Sequence, residues 1–306
     1  MDFIAWRKLP YTISGILVLA SLGMLLLWGL PLGIDFTGGS LMELEFAHAL
    51  PAQDSIHERI ASLNLGDVQV QQTGERGMLL RARDIDEETH QNVLTALRGI
   101  DRSVEEKRFV SIGPTIGNEL KQKAIWALML VLAMIIVYIT AVFRHVSRPQ
   151  GMFTGHSLPS WKYGVVAIIA LIHDVTIPLG LFAYLGKFQH VEISALFISA
   201  LLTILGFSVH DTIVVFDRIR ENLRKRASAR FEDIINISIH ETMTRSINTS
   251  LTLLFVLLTL FFLGGESTKY FSLALIVGTV VGVYSSIFIA SPLLVTWQKW
   301  QGRKTE

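Results

Sequence analysis

The sequence predicts a polytopic α-helical membrane protein with six transmembrane helices and a small α+β domain inserted between the first and second. Three observations carry that reading. Of 306 residues, 51% are hydrophobic and mean hydropathy is positive, the composition of a membrane chain. Six apolar runs are each long enough to cross a bilayer. Between the first two runs, residues 32–120 change to a mixed polar pattern with the periods of strands and helices.

The apolar runs cover residues 11–30, 124–143, 163–185, 193–216, 246–265 and 270–297. The first two carry no charge. A cleavable signal peptide is the alternative for the first, but its apolar core is too long and lacks a small-residue cleavage site, so a retained anchor is expected. The last run is long enough to require tilt or to extend beyond the lipid.

Lysine and arginine set the orientation, because they accumulate on the cytoplasmic side. Arg7 and Lys8 precede the first run, and Arg144, Arg148 and Lys162 lie in segment 144–162. Arg218, Arg220, Arg224, Lys225, Arg226, Arg230 and Arg245 lie in segment 217–245, and Lys299, Arg303 and Lys304 in the tail. The two loops of the opposite side hold one lysine each, Lys187 and Lys269. The expected organisation is therefore a cytoplasmic N-terminus and first helix (1–31), an extracytoplasmic domain (32–120), and a five-helix membrane domain (121–306). Cytoplasmic loops are expected at 144–162 and 217–245, with both termini cytoplasmic.

The outer segment reads as β-α-β-β-α-β. In SLMELEFA, Met42, Leu44 and Phe46 fall on one strand face and Leu41, Glu43 and Glu45 on the other. Pro51 opens a helix that stripes Ile56, Ile60 and Leu63 on one side. DVQVQQT and MLLRAR form a hairpin around Gly74–Gly77, Asp84 caps a helix with Val93 and Leu97 inward, and SVEEKRFVSI supplies the last strand. That order is the split βαβ of a ferredoxin-like domain, ordinarily a binding or structural module. Glu43, Glu45, Asp86, Glu87 and Glu88 are expected to be a solvated face.

Several function classes fall away. A formal net charge of +1 does not suit a nucleic-acid binder. There is no cysteine, and the nine histidines lack metal-cluster spacing, so neither a disulfide nor a metal is expected. No nucleophile–base pair or nucleotide loop supports an enzyme, and no cofactor is implied.

The unusual residues are acids inside apolar runs. Asp174 sits at the centre of the third and Asp211 in the fourth, next to His173 and His210 respectively. Ionisable groups at membrane depth are expensive and mark functional sites, proton relays among them. Burial favours the neutral form of a carboxyl and brings titration within reach of cellular pH. Adjacent residues on a helix point about 100° apart, so neither His–Asp pair is automatically a contact. Counted inward from the outer loop, Asp211 lies about 10 Å deeper than Asp174 unless tilt or a late helix start closes the gap. For Asp174, hydrogen bonding between helices is a serious rival to proton carriage, and Pro178 one turn on would free a carbonyl for it. Asp217 opens DRIREN and reads as an interfacial acid paired with Arg218, Arg220 or Arg224. Gly278, Gly282, Ser286 and Ala290 recur every four residues in the last run, a small-residue stripe for close helix packing, expected within the chain.

Four motifs in register carry a resemblance. GIDFTGGS (33–40, with Gly33, Asp35, Gly38 and Gly39), GPTIGNEL (113–120, with Gly113, Pro114 and Gly117), LIHDVTIPLG (171–180) and DTIVVFDRIREN (211–222, with Asp217 and Arg218) are similar to motifs of the SecD/SecF family. These are accessory subunits of the bacterial Sec translocase, within the resistance-nodulation-division superfamily of proton-driven exporters. The single-half length and modest outer domain resemble the family branch with the smaller outer domain. The resemblance implies pairing with a SecD-like subunit, work beside the SecYEG translocon on a translocating preprotein, and location in the bacterial cytoplasmic (inner) membrane. It also implies that export draws on the proton-motive force, with Asp211 on the family's signature acid. Two departures stand out. His210 replaces the usual asparagine, so it either tunes or shares the proton or replaces an amide hydrogen bond. Residues 147–161 are longer than the usual turn and are expected to form a flexible cytoplasmic loop. A small-molecule exporter of the same superfamily and a scaffold that moves no protons are the competing readings; the small outer segment argues against the first.

Overall fold

The computed structural model describes residues 2–48, 50–143, 160–226 and 228–302. The expected loop at 147–161 lies, up to residue 159, outside the described residues, as do Arg144 and Arg148. The chain divides into two compact units, Leu32–Trp126 on the one hand and Met1–Pro31 with Ala127–Glu306 on the other.

The smaller unit holds a short helix α2 (Ile34–Thr37), strand β1 (Gly39–Glu45), helix α3 (Gln53–Ile60), strands β2 (Gln69–Thr73) and β3 (Gly77–Ala82), helix α4 (Glu87–Arg98) and strand β4 (Glu105–Ile112). The sheet order is β2-β3-β1-β4, every pair antiparallel, which is the expected split βαβ arrangement. Met42 lies opposite Leu80 on β3 and Phe109 on β4. Met42, Leu44, Phe46, Met78 and Leu80 bury one sheet face against Ile56 and Ile60 of α3 and Val93, Leu94 and Leu97 of α4. Leu63 is only partly buried at the edge of this cluster.

One cap differs from expectation. Asp86, not Asp84, caps α4, accepting from the Thr89 backbone N–H at 2.9 Å. Hydrogen bonds from Thr89 hold the Asp86 carboxyl below its ordinary pKa. Asp84 is engaged elsewhere: the Ser111 hydroxyl donates to it at 2.7 Å from β4.

The larger unit is helical. Helices α1 (Lys8–Trp28), α5 (Pro114–Phe143), α6 (Ser160–Gln189), α7 (Ala195–Lys225) and α8 (Phe231–Leu263) are followed by α9 (Glu266–Ser285), a π-turn (Ser286–Ala290) and α10 (Ser291–Gly302). The residues of α5 before Ala127 belong to the smaller unit. Six helical stretches are long and apolar enough to cross a membrane, the last formed by α9, the π-turn and α10 together. Helix α6 packs against α1, α7 and α9, and α7 also packs against α8 and α9. Tyr163, Val166, Phe216, Ile219, Ile235, Ile287 and Leu294 form part of the buried core.

Segment 217–245 is more ordered than a loop. Helix α7 continues to Lys225 and α8 begins at Phe231, so the basic residues mostly ride on helix extensions. Intrahelical pairs explain this. Arg218 reaches Glu221 at 2.5 Å three residues on, and Lys225 reaches Glu221 at 2.6 Å four residues back.

Candidate functional site

Four helical elements bring polar side chains into the apolar core. Helix α6 supplies Asp174, which is 0% exposed. Helix α7 supplies Ser208, Asp211 and Thr212, whose spacing of three and four places them on one face. Helix α8 supplies Ser246. The α9 terminus and π-turn supply Ser285 and Ser286.

Asp174 is fully engaged. Its Oδ1 meets His173 Nδ1 at 2.8 Å. Its Oδ2 accepts from Ser285 Oγ at 2.7 Å and from Ser208 Oγ. Ser285 shares its single hydrogen, since the Gly282 carbonyl also lies 3.0 Å from its Oγ. Burying a carboxyl demands such partners. His173 is itself buried, at 5% exposure, and its Nε2 has no hydrogen-bond partner.

Asp211 is half engaged. At 7% exposure it takes the Ser246 hydroxyl on Oδ1, while Oδ2 is buried without a hydrogen bond of ordinary geometry, the Ser286 hydroxyl also lying near enough to interact with the carboxyl. A cleft lined by Phe207, His210, Asp211, Val214, Arg245, Ser246, Thr249 and Ser250 opens beside it. The two acids are near enough for their charges to interact. Ser208 meets Asp174, so Asp174 lies at a level three residues, about 4.5 Å, from Asp211 along α7. The expected depth difference of about 10 Å is thereby roughly halved. That count ends the third span at residue 185 and begins the fourth at residue 193, whereas α6 continues to Gln189 and α7 begins at Ala195, and both changes bring the acids closer in depth.

The π-turn has a sequence cause. Pro292 cannot donate to the carbonyl four residues earlier, so the regular ladder fails there. Ser291 Oγ closes on the Ser286 carbonyl five residues back, at 2.9 Å. The two serines then serve different neighbours, Ser285 reaching Asp174 and Ser286 reaching Thr212 Oγ1 at 2.8 Å. Such turns recur at functional sites.

The other singled-out residues fall in several places. His210 is exposed, lines the cleft and makes no hydrogen bond to Asp211. Of the two histidines that precede these aspartates, the one that contacts its acid is His173. Asp217 is exposed, with Arg220 3.8 Å away, while Arg218 binds Glu241 at 2.6 Å besides Glu221. A methyl on Gly278 would strike Ile204 of α7, and one on Gly282 would come within 3.2 Å of Ser208 Cβ. In the smaller unit, the two glycine-rich motifs meet. Gly38 has φ +77°, and a Cβ there would lie 2.7 Å from Pro114 Cα; a Cβ on Gly117 would lie 2.7 Å from the Gly38 nitrogen. Gly33 precedes α2, Asp35 lies within it, and Gly39 has φ +125°. A Cβ on Gly113 would have only ordinary contact with Asp84.

Ser208, Ser246 and Ser285 are site residues that the sequence reading did not single out. A signal existed for one of them. Ser238, Thr242, Ser246 and Ser250 recur every four residues, a hydroxyl stripe on α8, and all four are buried. Ser238 accepts from Asn222 of α7 at 3.0 Å and Ser246 bonds Asp211.

Comparison with known proteins agrees with this architecture. The family "Protein export membrane protein SecD/SecF, C-terminal" matches residues 92–152 and 158–300, and the "SecD/SecF GG Motif" matches residues 29–49. The protein translocase subunit SecF of Thermobaculum terrenum is 42% identical over 97% of this chain and 94% of its own length. That of Anaerolinea thermophila is 39% identical over 99% and 96%. The crystal structure of SecDF from Thermus thermophilus, a translocon-associated membrane protein, superposes with a TM-score of 0.80 at 30% identity, covering 98% of this chain. The present chain spans 39% of that longer one. This chain is therefore a multi-pass membrane protein that belongs to the SecD/SecF family of protein-export membrane proteins.

Proposed function

We propose that the chain is the proton-coupled half of a Sec export accessory complex, pairing with a SecD-like subunit beside the SecYEG translocon to help a preprotein complete its crossing. Both termini face the cytoplasm and residues 32–120 face outward, following the lysine and arginine distribution. The chain does this without covalent chemistry, by coupling proton passage through the helix core to movement. The outer unit is the part that handles emerging polypeptide.

One observation carries the reading: Asp211 is buried, with one carboxyl oxygen held by Ser246 and the other without a hydrogen bond of ordinary geometry beside a cleft. A buried acceptor without a partner costs about 1–3 kcal/mol. A site that alternates between charged and neutral forms uses such an oxygen, since a proton arrives there without displacing a bond. Each charge crossing the membrane is driven by about 2.3 kcal/mol per 100 mV. Asp174, with its two oxygens already bonded to three groups, is the second acid of the path. His210, which lines the same cleft, tunes or shares the proton of Asp211 in this reading.

The test is Asp211→Asn in vesicles holding the chain with its SecD-like partner and translocon. Asparagine keeps an oxygen for Ser246 but cannot ionise. Stimulation of export by an imposed proton gradient should disappear, with the rate in its absence unchanged. Retained stimulation removes Asp211 from the path.

A further inference from the structure

We infer that His173 is a second proton-holding residue, accepting one proton at Nε2 while Nδ1 stays bonded to Asp174; the inference rests on the proton-coupled reading above. An ionised carboxylate only accepts hydrogen bonds. With Asp174 ionised, the 2.8 Å contact therefore requires the hydrogen on Nδ1. That fixes the tautomer and leaves Nε2 as a bare lone pair. It is a buried lone pair with no partner, on a side chain only 5% exposed. A purely structural histidine would be expected to find a donor there.

The surroundings suit the role. Besides Asp174 on its own helix, the titratable group facing the ring is Tyr284 of α9, with ring centroids 6.2 Å apart. The Tyr284 hydroxyl is occupied, donating to the Pro10 carbonyl at 3.1 Å and accepting from Ser14 at 3.3 Å, both on α1. From α7, Ser208 faces the carboxylate, and Asp211 interacts with its charge. Among the described residues no basic side chain pairs with Asp174, so His173 is the group that can neutralise it.

The proton count closes. Neutral His173 with ionised Asp174 carries a charge of −1. One proton added at Nε2 gives imidazolium beside carboxylate, with net charge zero. Moving the Nδ1 proton to Asp174 Oδ1 gives a neutral imidazole with hydrogen on Nε2 and a neutral carboxyl, again zero. Return of that carboxyl proton to Nδ1 and loss of the proton on Nε2 restore the start. No electrons move. In either loaded form the pair carries no net charge, so its repulsion of a charged Asp211 is weakened and occupancy of one acid is reported to the other.

The experiment is 15N nuclear magnetic resonance of the full chain, histidine-labelled, in a lipid bilayer. The signal of His173 is assigned among the nine histidines by its loss in His173→Gln. Between about pH 8 and about pH 5, its bare-nitrogen resonance should give way to a protonated one. In Asp174→Asn the preference for hydrogen on Nδ1 should be lost. A His173 signal unchanged over that range, or a transition identical in Asp174→Asn, overturns the inference. In the export assay, His173→Gln should lose gradient stimulation. If His173 titrates and His173→Gln keeps full stimulation, this inference fails while the Asp211 reading stands; if only Asp211→Asn keeps stimulation, that reading fails instead. Should His173→Gln not insert, assignment passes to Asp174→Asn and the wild-type titration decides.

Discussion

Replacing Gly278 by alanine tests whether close packing of α9 on α7 builds the acid site. In an ordinary helix interior the change stabilises, by about 0.5–1 kcal/mol. Here the new methyl would sit closer than 3 Å to three carbons of Ile204, with Cγ2 the farthest at 2.8 Å. Relaxed carbon contacts need about 3.5–4.0 Å, so the helices must part by roughly 1 Å or Ile204 must leave its rotamer. Overpacking of this kind costs about 1–3 kcal/mol. Parting also stretches the 2.8 Å bond between Thr212 of α7 and Ser286 of the π-turn towards the limit of hydrogen-bond range, and a hydrogen bond between neutral groups is worth about 0.5–1.5 kcal/mol. Against the helix-propensity gain, the net is a destabilisation of about 0.5–4 kcal/mol, centred near about 2 kcal/mol. The assay is unfolding of the full chain in detergent, run as a double-mutant cycle with Ile204→Ala. Ile204→Ala alone should cost about 2–5 kcal/mol. The double variant should fall short of the sum by at least about 1 kcal/mol, because the space vacated accepts the methyl. A Gly278→Ala chain as stable as wild type, or strict additivity with Ile204→Ala, refutes the reasoning.

Two further outcomes are expected in the outer unit. Gly38→Ala forces a side chain into a positive-φ conformation that costs about 1–3 kcal/mol and drives Cβ against Pro114 backbone; amide exchange across Gly39–Glu45 should accelerate, and unchanged protection would show that the two glycine motifs are not locked together. Asp86→Ala removes the α4 cap and should lower the unit's unfolding midpoint near neutral pH. Because the folded Asp86 pKa lies below its ordinary 3.8, its contribution is present above that value and is lost as pH falls through the folded pKa. The gap between wild type and Asp86→Ala should therefore close in acid, and a gap that persists there would assign the cap's effect to something other than the carboxylate.

The spans and the outer unit were legible because each rests on a local period. Alternation put Met42, Leu44 and Phe46 on one face, and helical spacing paired Ile56 with Ile60 and Val93 with Leu97; all seven are buried. What local pattern does not encode is which of two equivalent groups a distant strand will claim. Asp84 and Asp86 both precede α4, and Asp84 is taken by Ser111, 27 residues away. Helix extension past residue 217 was partly legible, since the Arg218–Glu221 and Glu221–Lys225 spacings are helical ion-pair spacings. Their polarity read instead as the end of the helix, because leaving the bilayer and leaving the helix give the same loss of apolar residues.

The site was legible as a pair of acids and opaque as a network. Two His–Asp dipeptides stand in neighbouring helices, and sequence alone does not say which histidine touches its acid; burial of His173 and exposure of His210 separate them. The serines were hidden by being small. Ser286 entered the reading as one member of a packing stripe with Gly278, Gly282 and Ala290, yet its hydroxyl binds Thr212, next in sequence to Asp211. The two roles have one physical cause. Residues without bulk let α9 approach α7 closely, and only at that separation can hydroxyls as short as those of Ser285 and Ser286 span the gap to neighbouring helices. The π-turn before Pro292 adjoins both serines and aims them at different partners. Packing and proton chemistry are therefore not separable here, and a change that widens the α7–α9 gap should act first on the Thr212–Ser286 bond beside Asp211, and on Asp174 through Ser208 of α7 and Ser285 of α9, which share its Oδ2.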